Sequence, residues 1–167
     1  SRTDWINVLV LGLCLGGMNT SFYFALGHLP YGVAVTVEFL GPLTLAALGS
    51  RSWRDVVAII MALLGVAGVS GAIGARWSQL SLFGIGMALL AGLCWALYAK
   101  AAQRVGGAWR QLEGLWFAMV LCTLIQLPLG IAQAGANLLH PTTLLLGLTV
   151  AILSSALPYS FEMYALR

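Results

Sequence analysis

Charge is what this sequence has least of. Eight lysines and arginines and five aspartates and glutamates amount to 8% of the chain, where a soluble domain carries about 25%. A surface so poor in charge does not stay in water, which excludes a soluble globular protein. Cysteine is sparse as well. Cys14, Cys94 and Cys122 lie far apart in apolar stretches, and an odd number of separated cysteines argues against a disulfide framework. The two histidines, His28 and His140, fall in predicted loops without metal-ligand spacing, so no metal site is expected. The chain lacks a His-Glu-x-x-His motif, a nucleophile with a base beside it, and a pair of carboxylates on one helix. An intramembrane hydrolase needs one of these, so we expect no enzyme and no cofactor. The net charge of +3 is scattered over short loops, which does not point to nucleic acid.

What is present in abundance is hydrocarbon. The chain is 60% hydrophobic, with a mean hydropathy of +0.95. A bilayer core of about 30 Å takes about 20 apolar residues per helix. Six such stretches are predicted, over 5–27, 32–49, 55–75, 80–102, 112–133 and 142–165. The expected fold class is an all-α polytopic membrane bundle in contact with the lipid bilayer. Ile6–Leu15 has the look of a signal-peptide core, but five more spans follow, so it reads as a first membrane helix. The breaks are punctuated by Gly27–Gly32, Ser50–Asp55, Arg76–Gln79, Arg104–Arg110 and Ala136–Pro141. Trp5, Trp53, Trp77 and Trp109 stand at predicted ends, as an interfacial aromatic belt requires. Arg2, Arg51, Arg54, Lys100, Arg104, Arg110 and Arg167 would share one side of the membrane, leaving Arg76 on the other. The positive-inside rule then makes that side the cytoplasm, with both the Ser1 and Arg167 ends in it. Ser1 is not an initiator methionine and Arg167 follows directly on an apolar segment, so a longer parent protein is expected.

Against this background a few polar side chains stand out. Glu38 sits in the apolar run Val33–Leu48, where a charge at a helix centre costs roughly 2.5–3.5 kcal/mol on insertion scales. Gly41 and Pro42 lie one turn further along and would loosen the backbone. Intramembrane ionisable groups default to function; the competing explanation is a neutral carboxyl hydrogen-bonded for structure. On the first helix Gly12, Gly16, Asn19 and Tyr23 fall on one stripe. Asn19 and Tyr23 suit either a polar cavity or helix-to-helix hydrogen bonding. On the fourth, Trp95 and Tyr98 share a stripe with Ala91 and Ala102, and plain packing competes with a cavity wall. Gly84, Ala88, Gly92 and Ala96, like Gly65, Gly68 and Gly71, read as packing surfaces. On the last helix Ser155, Tyr159 and Glu162 share a face and Pro158 breaks the ladder beside them. Freed backbone groups are tolerated only where they line protein or a water-filled cavity. Lys100 can snorkel to the interface and reads as a topology determinant. Asp4, Asp55 and Glu113 lie at helix ends and need no further role.

Phe22-Tyr23-Phe24-Ala25-Leu26 is similar to Glu162-Met163-Tyr164-Ala165-Leu166, and the two helices involved would run in opposite directions. Inverted repeats of this kind occur in secondary transporters. The stretches Leu11–Leu26, Val33–Leu43, Gly92–Arg104 and Val150–Leu166 resemble the EamA family of the drug/metabolite transporter superfamily, and within it the RhtA-type threonine/homoserine exporters. The resemblance covers essentially the whole chain. It implies ten helices in two inverted five-helix repeats, of which the six here would be helices three to eight. Residues 1–75 would then close the first repeat and 76–167 open the second. It further implies a bacterial inner-membrane exporter of amino acids or related small metabolites, coupled to protons and working by alternating access. Glu38 would take up a proton from outside and release it inside, or pair the ammonium group of an amino acid. The alternatives are a non-transporting scaffold or accessory subunit, and an exporter of another metabolite class.

Overall fold

The computed structural model describes residues 2–71, 74, 80–108 and 113–165. Its elements run α1 (Arg2–Leu26), α2 (Tyr31–Gly49), α3 (Trp53–Ser70), α4 (Leu82–Ala108), α5 (Glu113–Ala134), a 3₁₀ turn (Gly135–Leu139), α6 (Pro141–Val150), a π-helical turn (Ala151–Ala156) and α7 (Leu157–Ala165). There is no strand among the described residues. Six helices, counting α6 through α7 as one, are long and apolar enough to cross a membrane. That satisfies the expected class, because in hydrocarbon every backbone donor and acceptor must be paired within its own segment.

The helix ends follow local chemistry. Pro30, which lacks an N–H, stands before α2 and its carbonyl accepts from the Ala34 N–H at 3.1 Å. At the start of α3 the Asp55 carboxylate accepts from the backbone N–H of Ser52 at 3.0 Å. The Ser52 hydroxyl accepts in return from the Asp55 N–H at 3.3 Å, which satisfies two orphan donors reciprocally. Gly71 ends that helix with φ 71°, a left-handed position that suits glycine. Pro141 opens α6 in the first turn, where a missing N–H costs nothing.

Two sequence expectations need correction. The segment Arg104–Ala108, expected as the start of the longest loop, is the last part of α4. The alanines earlier in α4, at 96, 99, 101 and 102, favour helix enough to carry Gly106 and Gly107. The break expected at Pro158 takes the form of a π turn just ahead of it, with the Leu157 N–H donating five residues back to the carbonyl of Ile152. Proline at 158 removes a donor from this stretch, and the wider turn takes up the fault. Pro42 is the second correction: expected to break or loosen the helix beside Gly41, it lies inside an unbroken α2. The turn at Arg76–Gln79, Trp77, Trp109, Arg110, Leu166 and Arg167 lie outside the described residues.

The chain divides into two compact units, Gly17–Ala99 on the one hand and Ser1–Gly16 with Lys100–Arg167 on the other. The core of the first is built where α1 ends, α2 begins and α4 begins, from Ala25, Leu29, Val33, Ala34, Val37 and Ala88. In the second, the first half of α1 lies on α5. A Cβ on Gly12 would stand 2.9 Å from the Ala118 carbonyl oxygen, and one on Gly16 3.3 Å from Ile125. Trp5 meets Phe117 edge to face, with ring centroids 5.0 Å apart. α3 buries no residue. In water so apolar a surface would be untenable, but lipid tails are as apolar as leucine and exact no cost for it.

Candidate functional site

Glu38 is carried on the buried face of α2 with Val33, Ala34, Thr36 and Val37. It is 8% exposed. Among the described residues no hydrogen bond or ion pair reaches its carboxyl. A buried polar group is normally partnered inside the fold. A carboxyl without such a partner can be satisfied from outside the chain, by a proton or a ligand's cation.

Two contacts on α2 bracket this residue. Earlier along the helix, a Cβ on Gly32 would overlap the carbonyl of Ser70, so only glycine lets α3 come this close. One turn on, the Thr36 hydroxyl meets the Ser70 hydroxyl at 2.7 Å and also reaches the Gly32 carbonyl at 2.8 Å. Beyond Glu38, the backbones of Gly41 and Gly92 touch, bringing α4 against α2. Phe39 packs edge to face on Trp95 at 4.9 Å between centroids. The Sγ of Cys94 would lie 3.2 Å from a Cβ on Gly17, so α1 closes on α4 nearby. The carboxyl-bearing turn is therefore held from two sides, by α3 and by α4.

The other expected site residues divide as follows. Asn19 is half-buried on the second half of α1, and Tyr23, two-thirds exposed, sits near its end beside Phe22. Trp95 is half-buried, while Tyr98, with Ala91 and Ala102, is fully buried. Glu38, Asn19, Tyr23, Trp95, Tyr98 and Pro42 belong to the unit Gly17–Ala99. Ser155, Tyr159 and Pro158 belong to the other unit. There Ser155 and Tyr159, together with Ser160, are half-buried while their described neighbours are exposed. The side chain of Glu162 lies outside the described residues. Among the described residues there is no cluster of side chains able to hold a metal ion.

Three contacts have no direct signature in the sequence: the Thr36–Ser70 hydroxyl pair, the Phe39–Trp95 ring pair and the Gly41–Gly92 approach. The glycine contact had a signal, since Gly92 stood on the small-residue ladder of the fourth span. In the structure that ladder is a packing surface, as expected: Ala88 is fully buried, Gly92 is buried, and a Cβ on Gly84 would stand 2.7 Å from Leu29.

Comparison with known proteins agrees with a membrane transporter. Residues 82–167, just over half of the chain, match the model of the EamA-like transporter family. The threonine/homoserine exporter RhtA of Escherichia coli (strain K12) is 43% identical over 166 residues, covering 99% of this chain and 56% of the relative. The exporter of the same name from Salmonella typhimurium (strain LT2) is 42% identical over the same span. The chain thus spans about half the length of the curated relatives it matches. No solved structure matches it significantly.

Proposed function

The chain belongs to the EamA-like transporter family, and we propose that it is part of a secondary-active exporter of amino acids or related small metabolites of the threonine/homoserine type. Six apolar helices and bacterial relatives make it a multi-pass bacterial inner-membrane protein. The single observation that carries the mechanism is Glu38, buried in a membrane helix with no partner among the described residues. In the proposed cycle its carboxyl exchanges a proton with the outside and gives it up inside, or pairs the substrate's ammonium group. The two loads alternate as the site opens to either side. Asn19, Tyr23, Trp95 and Tyr98 are proposed as polar and aromatic surface for the substrate and proton pathway, and Ser155, Tyr159 and Glu162 are proposed for the same role. Residues 1–75 read as the end of one repeat and 76–167 as the start of the next.

The identities of the relatives support the substrate class. The test is efflux from loaded cells expressing the full-length protein, over a panel of amino acids. Threonine and homoserine are expected to leave faster than from control cells. A panel without any accelerated efflux would contradict the reading. The proposed orientation, with both ends in the cytoplasm, is supported by the distribution of the basic residues. A cysteine introduced at Arg51, after removal of Cys14, Cys94 and Cys122, is expected to be labelled by an impermeant thiol reagent only from the cytoplasmic side. Labelling from outside would invert the topology.

A further inference from the structure

The turn from Glu38 to Pro42 is unusual in its backbone as well as in its side chain. Pro42 brings no N–H, so the carbonyl of Glu38 loses the donor that an α-helix would supply four residues on. That carbonyl is covered by α4. A Cβ on Gly92 would lie 3.2 Å from the Glu38 carbonyl carbon and closer still to its oxygen. The hydrogen on Gly92 that stands in place of the Cβ therefore points toward that oxygen, a Cα–H···O contact of the kind found between packed helices. Reciprocally, a Cβ on Gly41 would be 2.7 Å from the Gly92 Cα and nearer still to the Gly92 carbonyl. The obstacle in both directions is backbone, which cannot swing aside as a side chain can.

We infer that Pro42, Gly41 and Gly92 form a positioning device for Glu38: the proline strips its carbonyl of the helical donor, and the glycine pair seats that carbonyl on the backbone of α4. The peptide of residue 38 is thereby fixed relative to α4 and to Trp95 one turn along it, and the carboxyl is fixed with it. These three are positioning residues, since none of them exchanges a proton or holds substrate. The inference rests on the proposed role of Glu38. On the elements around α2 in this unit, the other titratable side chains are Tyr23, His28, Cys94, Tyr98 and, at the start of α3, Arg54 and Asp55. None of them has a bond to Glu38 among the described residues.

The test uses the full-length protein in proteoliposomes and follows threonine flux driven by a proton gradient across a range of pH. Gly92→Ala must displace the Glu38 peptide, and a misplacement of about 1 Å can cost about 100-fold. At least a tenfold fall in turnover with a displaced pH profile is expected. Pro42→Ala restores the helical donor with a residue that favours helix. It is expected to accumulate at least as well as the parent and still to shift the pH profile, so it decides the matter if Gly92→Ala does not accumulate. Gly86→Ala is the control, because a Cβ there meets open space; it is expected to match the parent. Parental turnover and pH profile in Pro42→Ala and Gly92→Ala, or lowered abundance without a changed profile, would overturn the positioning role. Glu38→Gln in the same assay separates the two ideas. If it is inactive while the positioning variants are normal, only this inference fails. If it transports like the parent, the role of Glu38 fails as well.

Discussion

Glu38→Gln in the full-length protein is expected to abolish export driven by the proton gradient while the protein accumulates normally in the membrane. Glutamine keeps the size of the side chain and nearly the same preference for helix. It breaks no internal bond, because the Glu38 carboxyl has no partner among the described residues. Removing one member of a buried ion pair typically costs about 3–5 kcal/mol, since it strands the other charge; here no partner is left stranded. The structural cost should therefore be small and the functional cost large, as the glutamine amide neither binds and releases a proton nor carries the negative charge that pairs an ammonium group. Threonine efflux from loaded cells, with abundance measured alongside, checks this. Undiminished efflux would remove Glu38 from the mechanism.

Gly32→Val is expected to be the most damaging change to the fold. Its first side-chain carbon would enter the carbonyl of Ser70, and two helix backbones must separate to admit it. Overpacking of this kind costs typically about 1–3 kcal/mol. The separation also breaks the hydroxyl bond from Thr36 to Ser70. That bond alone is a smaller matter: interhelical side-chain hydrogen bonds in membranes average about 0.6 kcal/mol. Thr36→Val should accordingly lower stability slightly, and Gly32→Val far more. Unfolding of the purified full-length variants by detergent titration gives the order. A Gly32→Val protein as stable as the parent, or less affected than Thr36→Val, would contradict the close α2–α3 approach.

The broad plan of the molecule was legible because hydropathy and charge are what a bilayer selects on. All six spans were found, and most of their described ends fall within a few residues of the expected ones. Arg104–Ala108 was misread because an arginine with two glycines resembles a loop, whereas in context the alanine-rich helix simply continues. The fault at Pro158 was foreseen, but not its form: whether a helix kinks or widens into a π turn depends on packing and not on the proline. Glu38 was conspicuous as a lone acid in an apolar run. That its carboxyl has no partner among the described residues could not be read from sequence, because a partner can come from any helix. The same holds for Gly41 and Gly92, fifty-one positions apart in sequence (92 − 41) and in backbone contact only through the register of α2 against α4. Tyr23 shows the limit of periodicity. It shares a stripe with Gly12 and Gly16, yet near the end of α1 it is two-thirds exposed, since a stripe gives direction but not the extent of the neighbour it faces.

The most direct test of the account is whether substrate movement carries protons through Glu38. The full-length protein would be reconstituted into vesicles holding a pH-sensitive dye, and a threonine gradient imposed without an initial pH difference. The expected result is a proton flux opposite in direction to the threonine flux with the parent protein, and none with Glu38→Gln. A threonine gradient that moves threonine without protons in the parent, or protons equally well in Glu38→Gln, would contradict it.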